Sequence, residues 1–226
     1  MTTTREALAF DVYGTLVDPL AMADRIRGYA PDCDAAAVAE VWRRKQLEVS
    51  FRLAAMGRYE DFAWCTRRAL GFALATAGQP LGSRDQDALA AEYEHLAAYP
   101  DAAPAMEELR GRGHALAVLS NGTPDMLAAV LRRTGLAEYL TEVISVHEVR
   151  TFKPAPEVYH HAARRLGRSP QEVRLVTSNA FDSIGAEAAG LRAAWVDRGG
   201  RPFEPDGAPP DVVVTSLAGL AAALPG

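Results

Sequence analysis

Cysteine is nearly absent from this chain. Only Cys33 and Cys65 occur, with no CxxC spacing, so neither a disulfide framework nor a thiolate metal site is expected, and both read as ordinary buried or half-buried thiols. No stretch approaches the ~20 apolar residues of a membrane span, and the opening MTTTREALAFDVYGTL lacks an apolar segment of signal-peptide length. The expectation is a cytoplasmic protein without a membrane partner. Positive charge is also short: 24 Lys and Arg stand against 29 Asp and Glu, a net charge of −5, with no basic block. Nucleic acid is therefore not expected as a partner. The histidines, His95, His114, His147, His160 and His161, show no HxxxH or HExxH spacing, and no GxGxxG follows a strand, so neither a histidine metal centre nor a nucleotide cofactor is indicated.

What the chain does have is a rhythm. Its 226 residues are 49% apolar, enough for one large domain or a core with a smaller insertion. Short Val/Ile/Leu-rich runs recur at 7–11, 114–121, 142–146, 174–179, 193–197 and 211–216, with helical stretches between them. That alternation predicts an α/β fold with a mostly parallel, Rossmann-like sheet covered on both faces. Thr123-Pro124 reads as a helix start, Asp101 with Pro104 as the opening of a helix over 102–111, and Gly122, Gly135 and Gly167 as breaks. Between Asp18 and about Pro100 no strand is convincing. Amphipathic stretches such as AAAVAEVWRRKQLEVSFRLAA fill the region, far longer than a parallel crossover needs. It reads as an all-helical cap, residues 19–96, inserted into an α/β core of residues 1–18 and 97–226. The Pro/Gly-rich run at 199–211 reads as an exposed connection.

In an open parallel sheet, ligands bind at the carboxyl ends of strands. Four chemically interesting points fall there: Asp11 in AFDVYGT, Ser120-Asn121-Gly122 after ALAVL, Lys153-Pro154 shortly after EVISV, and the run from Thr177 to Asp182. Taken singly, each is commonly a cap, a turn or a surface lysine. Taken together, an Asp, a Ser/Asn pair, a Lys and a second Asp converge on one crevice, which independent caps have no reason to do.

These four points resemble the motifs of the haloacid dehalogenase superfamily, and the likeness spans nearly the whole chain. Most members of that superfamily are magnesium-dependent phosphatases, with a second Asp two residues after the nucleophile and an acidic fourth motif that holds the metal. This chain has Tyr13 at the first of those places, and Ser178 and Thr177 ahead of Asp182, so it lacks the acid and the hard oxygen ligands of that chemistry. FDVYGTL, WRRKQLE, MGRYEDF, LSNG, FKP and TSNAFD are similar to one branch, the L-2-haloacid dehalogenases.

The resemblance implies hydrolysis of L-2-haloacids to D-2-hydroxyacids through an ester on Asp11, with no metal and no organic cofactor. A carboxylate of reference pKa ~3.9 is already an anion at neutral pH and needs no base to attack carbon. The resemblance gives Lys153 the task of keeping Asp11 ionised, with Thr15 and Tyr159 orienting it. Arg43, Asn121 and the edge of Phe181 would meet the departing halide. Leu47 and Phe62 would wall the alkyl group, while Ser120 and the backbone N–H groups near Val12 and Tyr13 would hold the substrate carboxylate. Asn179 and Asp182 would position the hydrolytic water, with Thr177 in the same catalytic motif. From periodicity alone, Arg43 is equally one more surface arginine. The partners implied are a small halocarboxylate, water and a second copy of the chain. Two rivals stay open: a magnesium-dependent phosphatase of the same superfamily acting on a small phosphorylated metabolite, and a binding module without turnover.

Overall fold

The computed structural model describes residues 5–200, 202–207 and 209–224. Strand β1 (Ala7–Phe10) is apolar without alternation and buried along its length, as a strand covered on both faces must be. The other strands are β2 (Ala115–Ser120), β3 (Glu142–Ser145), β4 (Val173–Thr177), β5 (Arg192–Val196) and β6 (Val212–Val214). They form a sheet in the order β3-β2-β1-β4-β5-β6, with every neighbouring pair parallel. Each expected run contains one of them. The chain builds outward from β1 to β3 on one side and from β4 to β6 on the other. The order therefore reverses between β1 and β4, and a crevice opens at their carboxyl ends.

Between β1 and β2 the named elements are helical: α1 (Met22–Tyr29), α2 (Ala35–Ala55), α3 (Phe62–Thr76), α4 (Ser83–Ala91) and α5 (Ala102–Gly111). Asp34 and Asp61 cap α2 and α3 by accepting the backbone N–H groups of Ala37 and Trp64. Trp42 of α2 donates to the Thr66 carbonyl of α3 at 2.8 Å, fixing the register of that pair. Helices α6 (Pro124–Thr134), α7 (Pro156–Arg165), α8 (Ala180–Ala188) and α9 (Leu220–Ala223) follow in the second part of the chain. Thr123 caps α6 as expected, and Gly135 closes it at φ 73°.

Helix α5 opens after Asp101 as expected, but the Asp101 side chain does not bond to the helix it precedes. Its carboxylate instead takes both Arg198 nitrogens, at 3.0 and 3.1 Å, and the Leu217 N–H at 2.8 Å. A bidentate guanidinium is a stronger partner than a single helix N–H. Arg198 also donates to the Thr15 carbonyl at 2.8 Å and lies over the Tyr99 ring. This bracket fastens the two segments that lead into and out of the helical insertion, where Val17 bridges Ala98 and the Tyr99 N–H donates to Leu16.

Within β4, Arg174 is wholly buried and paired with Glu6 and Asp211, the residues just before β1 and β6. Cys65 is buried and Cys33 half-buried, both free thiols. In the 199–211 connection most described residues are exposed, although Phe203 turns back edge-on against Trp195; Arg201 and Ala208 lie outside the described residues. Among the described residues, no helix is long and apolar enough to cross a membrane.

Candidate active site

Asp11 lies one residue beyond β1, where its N–H still bonds the Val176 carbonyl and extends the β1–β4 ladder. The chain then turns sharply, with the N–H groups of Thr15, Leu16 and Val17 all converging on the Val12 carbonyl. Gly14 makes the turn possible at φ 101°, a backbone conformation that costs glycine little. A side chain there would also come within 3.7 Å of the Asn179 amide.

The turn returns Thr15 onto the nucleophile candidate. The Thr15 hydroxyl donates to Asp11 Oδ2 at 3.0 Å and itself accepts the Ser178 N–H at 2.8 Å. Asn179 Nδ2 donates to the same Asp11 oxygen at 2.9 Å. Lys153 Nζ donates to Asp11 Oδ1 at 3.1 Å and to Asp182 Oδ2 at 2.8 Å. Asp11, Lys153 and Asp182 are buried at 6%, 1% and 1% exposure, so this shared ammonium is screened little by water. Burial opposes the lysine's charge, but Asp11 and Asp182 outweigh it and lift Lys153 above the ordinary lysine range. Burial raises Asp182, and the charge of Asp11 adds to that against the pull of Lys153. Two carboxylates about one cation leave an anionic centre with limited tolerance for a further negative charge.

Tyr159 differs from its expected place. Its hydroxyl donates to Asp182 Oδ1 at 2.7 Å, so it orients the second carboxylate rather than Asp11. Burial and Asp182 together push its ionisation well above the usual phenol range, which keeps it a donor. Thr177 likewise spends its hydroxyl on the turn, accepting the Asn179 N–H at 3.1 Å, and sets where Asn179 points.

Asp11, Tyr13, Arg43, Leu47, Phe62, Ser120, Asn121, Lys153, Asn179 and Phe181 wall one small cavity. Thr15, Tyr159, Thr177 and Asp182 stand behind that wall, and Val12 is buried beside it. Arg43 reaches in from α2, donating to the Tyr13 carbonyl at 2.8 Å and to Asn179 Oδ1 at 3.4 Å. It is therefore tied to the core and is not a free surface arginine. Asn121 gives its carbonyl to the Lys153 N–H at 3.1 Å, which leaves its amide N–H end for an anion. Ser120 accepts the Gly122 N–H at 3.2 Å and keeps its own proton for the cavity. Phe181 meets Phe51 of α2 edge-on, a contact between core and insertion that no motif announced. Gln46 bonds Arg43 and Thr66 bonds Gln46; Gln46 lies inside the WRRKQLE run but the resemblance gives it no role there, and Thr66 was unmarked, since a threonine on an amphipathic helix carries no signal of its own. A wider groove between α2 and α3 is lined only by residues from Lys45 to Phe72. It holds no strand-end residue, so the chemistry belongs to the smaller cavity.

The donor set does not suit a divalent cation. Both carboxylates are engaged by Lys153, residues 177 and 178 offer only neutral hydroxyls, and magnesium favours anionic oxygens in octahedral array. Among the described residues no cluster of three or more His, Cys, Asp or Glu is disposed to hold a metal. Tyr13, at the place where a phosphatase carries its acid, has a buried hydroxyl with no hydrogen-bond partner among the described residues, and burial raises its ionisation far above neutrality.

A family model described as haloacid dehalogenase-like hydrolase matches residues 6–190. The chain is 38% identical over 224 residues to (S)-2-haloacid dehalogenase 4A of Burkholderia cepacia, covering 97% of this chain and 95% of that protein. The solved L-2-haloacid dehalogenase of Xanthobacter autotrophicus superposes with a TM-score of 0.91 at 37% identity, covering 97% of this chain and 98% of that one. A second structure described as that enzyme, with chloropropionic acid covalently bound, gives a TM-score of 0.89 at 37% identity, again over 97% and 98% of the two chains. With this sheet order, this helical insertion and these matches across nearly its whole length, the chain belongs to the haloacid dehalogenase-like hydrolase family.

Proposed function

We propose that this chain hydrolyses L-2-haloacids to D-2-hydroxyacids through an ester on Asp11, without a metal and with inversion at carbon 2. One observation carries the reading. Asp11 is held by Lys153, Thr15 and Asn179 as a buried, oriented anion, while the acid and metal ligands of phosphoryl transfer are missing. A nucleophile already anionic and desolvated beside fixed donors needs no base.

An Asp11 oxygen attacks carbon 2 from the face opposite the halogen, and the carbon–halogen pair leaves with the halide. Arg43, the free amide end of Asn121 and the edge of Phe181 receive that charge. Ser120 and the turn after Asp11 hold the substrate carboxylate, and Leu47 and Phe62 border the alkyl group. Water then adds to the ester carbonyl of Asp11, with Asn179 and Asp182 placing it, and the hydroxyacid departs carrying the oxygen first supplied by Asp11. Residues 19–96 act as the cap over a core of residues 1–18 and 97–226; the reach of Arg43 to the Tyr13 carbonyl supports that division. Free thiols at Cys33 and Cys65 suit the reducing cytoplasm. Exposed Met56 and Phe72 offer apolar surface for a homodimer.

The test is halide release from a panel of 2-haloacids with EDTA present, in wild type and Asp11→Asn. The expected outcome is chelator-resistant release by wild type alone. In single-turnover hydrolysis in heavy-oxygen water, the label should enter the Asp11 side chain. Halide release that EDTA abolishes would count against the metal-free scheme, and magnesium-dependent release of phosphate from a phosphorylated metabolite would favour the phosphatase.

A further inference from the structure

Arg43, half-buried at the cavity wall, is held in an unusual way for a cation tied into the core. Among the described residues, its hydrogen-bond acceptors are the Tyr13 carbonyl, the Asn179 amide oxygen and, at 2.9 Å, the Gln46 amide oxygen, all of them neutral. Guanidinium groups drawn into the interior ordinarily pair with carboxylates, as Arg174 of β4 does. Here the charge is located without being cancelled.

Gln46 lies one turn beyond Arg43 on α2, wholly buried, and is not part of the cavity wall. Its orientation follows from its neighbours. The Thr66 hydroxyl donates its only proton to the Phe62 carbonyl at 2.7 Å, so its oxygen can only accept. Gln46 Nε2 is the group that donates to it, at 2.6 Å. An amide's two ends are distinguished by just such a network, and the carbonyl end is thereby turned toward Arg43. Trp42, donating to the Thr66 backbone, keeps α3 where this chain of bonds requires it. The ionisable groups around the amide are Arg43 and Tyr93; burial raises the Tyr93 phenol to about 12, so it stays neutral beside Gln46 at working pH.

We infer that Gln46, oriented by Thr66, is a positioning residue that fixes the Arg43 guanidinium with a neutral carbonyl so that its full charge faces the departing halide. The inference rests on the proposed reading of Arg43 as the halide's partner. Glutamate at this place would have the same shape and would form an ion pair, spending the charge inside the protein. The chain from Thr66 to Gln46 to Arg43 thus sets how well the leaving group is stabilised in the displacement step and takes no part in opening the ester.

The experiment compares Gln46→Glu, Thr66→Val and Arg43→Lys with wild type. It measures inhibition by free bromide, the ratio of kcat for 2-bromo and 2-chloropropionate, and thermal melting. Gln46→Glu should weaken bromide inhibition by about tenfold and widen the bromo-to-chloro ratio, because the poorer leaving group depends more on the cation. Thr66→Val, which frees the amide to turn, should shift both readouts in the same direction by a smaller factor. It also serves should the glutamate variant fail to fold. Folded Gln46 and Thr66 variants with bromide inhibition and halogen ratio within twofold of wild type would overturn the inference. If Arg43→Lys moves those readouts and the other two do not, the positioning role alone fails; if Arg43→Lys also leaves them unchanged, the reading of Arg43 fails and takes this inference with it.

Discussion

Replacing Lys153 by methionine removes the cation that Asp11 and Asp182 share while keeping an unbranched side chain of similar length. The two contacts are 3.1 and 2.8 Å, between groups at most 6% exposed. At an effective dielectric of about 20 each carries an attraction of roughly 5 kcal/mol, much of it offset by desolvation. Removing one member of such a buried set costs about 3–5 kcal/mol, because the remaining charges are left without compensation. The fold can lessen that cost by taking up a proton. Asp182 already stands above the ordinary carboxylate range, through burial and the charge of Asp11, with Lys153 pulling the other way; without the lysine it must stand higher. A group whose pKa is raised on folding contributes stability that is present below its unfolded value of ~3.9 and lost as pH rises through the folded value. Urea unfolding of Lys153→Met should therefore show stability falling, as pH rises above ~4, more steeply than in wild type. Halide release at neutral pH should drop at least about 100-fold, equivalent to ~2.7 kcal/mol. A variant with a pH-independent unfolding midpoint, or with kcat within tenfold of wild type, would refute the reasoning.

Tyr159→Phe takes from Asp182 its 2.7 Å donor without touching Asp11, so hydrolysis of the ester should slow more than its formation, and intact-protein mass spectrometry should find the acylated enzyme accumulating. Gly185→Ala would place a methyl 2.5 Å from Pro154 Cβ and 2.7 Å from the Tyr159 hydroxyl; a loss of about 1–3 kcal/mol in thermal unfolding is expected, with lower kcat in the folded fraction. Arg174→Met leaves Glu6 to Arg192 alone and the largely exposed Asp211 to water and should destabilise by about 1–3 kcal/mol while folded molecules keep their kcat. In wild type, Glu6 and Asp211 sit below the ordinary carboxylate range: burial opposes this for Glu6 but Arg174 and Arg192 outweigh it, and the Arg174 hydrogen bond leads for Asp211. Their contribution is present above ~pH 4 and lost as pH falls below it, so the Arg174 variant should have a flatter acid limb in a pH titration of unfolding.

Position in the sheet was the legible part of the site. Asp11, Lys153, Asn179 and Asp182 each follow an apolar run closely, and a parallel sheet brings such places together whatever their distance in sequence. Partner choice was less legible. Tyr159 sits one turn into α7, six residues after Lys153, near enough to serve either carboxylate, and only the packing of α7 against α8 decides for Asp182. Asp101 reads as a cap because the helix begins beside it; the competing partner, Arg198, lies nearly a hundred positions away and is invisible to local pattern. Arg43 could not be told from a surface arginine because its acceptors are a backbone carbonyl and two neutral amides, none of which has a sequence signature.

The strand order also bears on how the protein comes to exist. Lys153 stands 142 positions from Asp11 and Asn179 stands 168 away, and Asn179, which follows β4, reaches it only after β4 has docked beside β1. Contacts of such separation form late and slowly, because long loops must close before the contact compensates for them. A growing polypeptide that has emerged as far as β3 carries Asp11 and the helical insertion, yet of the three side chains that donate to that carboxylate it holds only Thr15. The grip on Asp11 is thus left unfinished in partly made chains and is completed only with the arrival of β4.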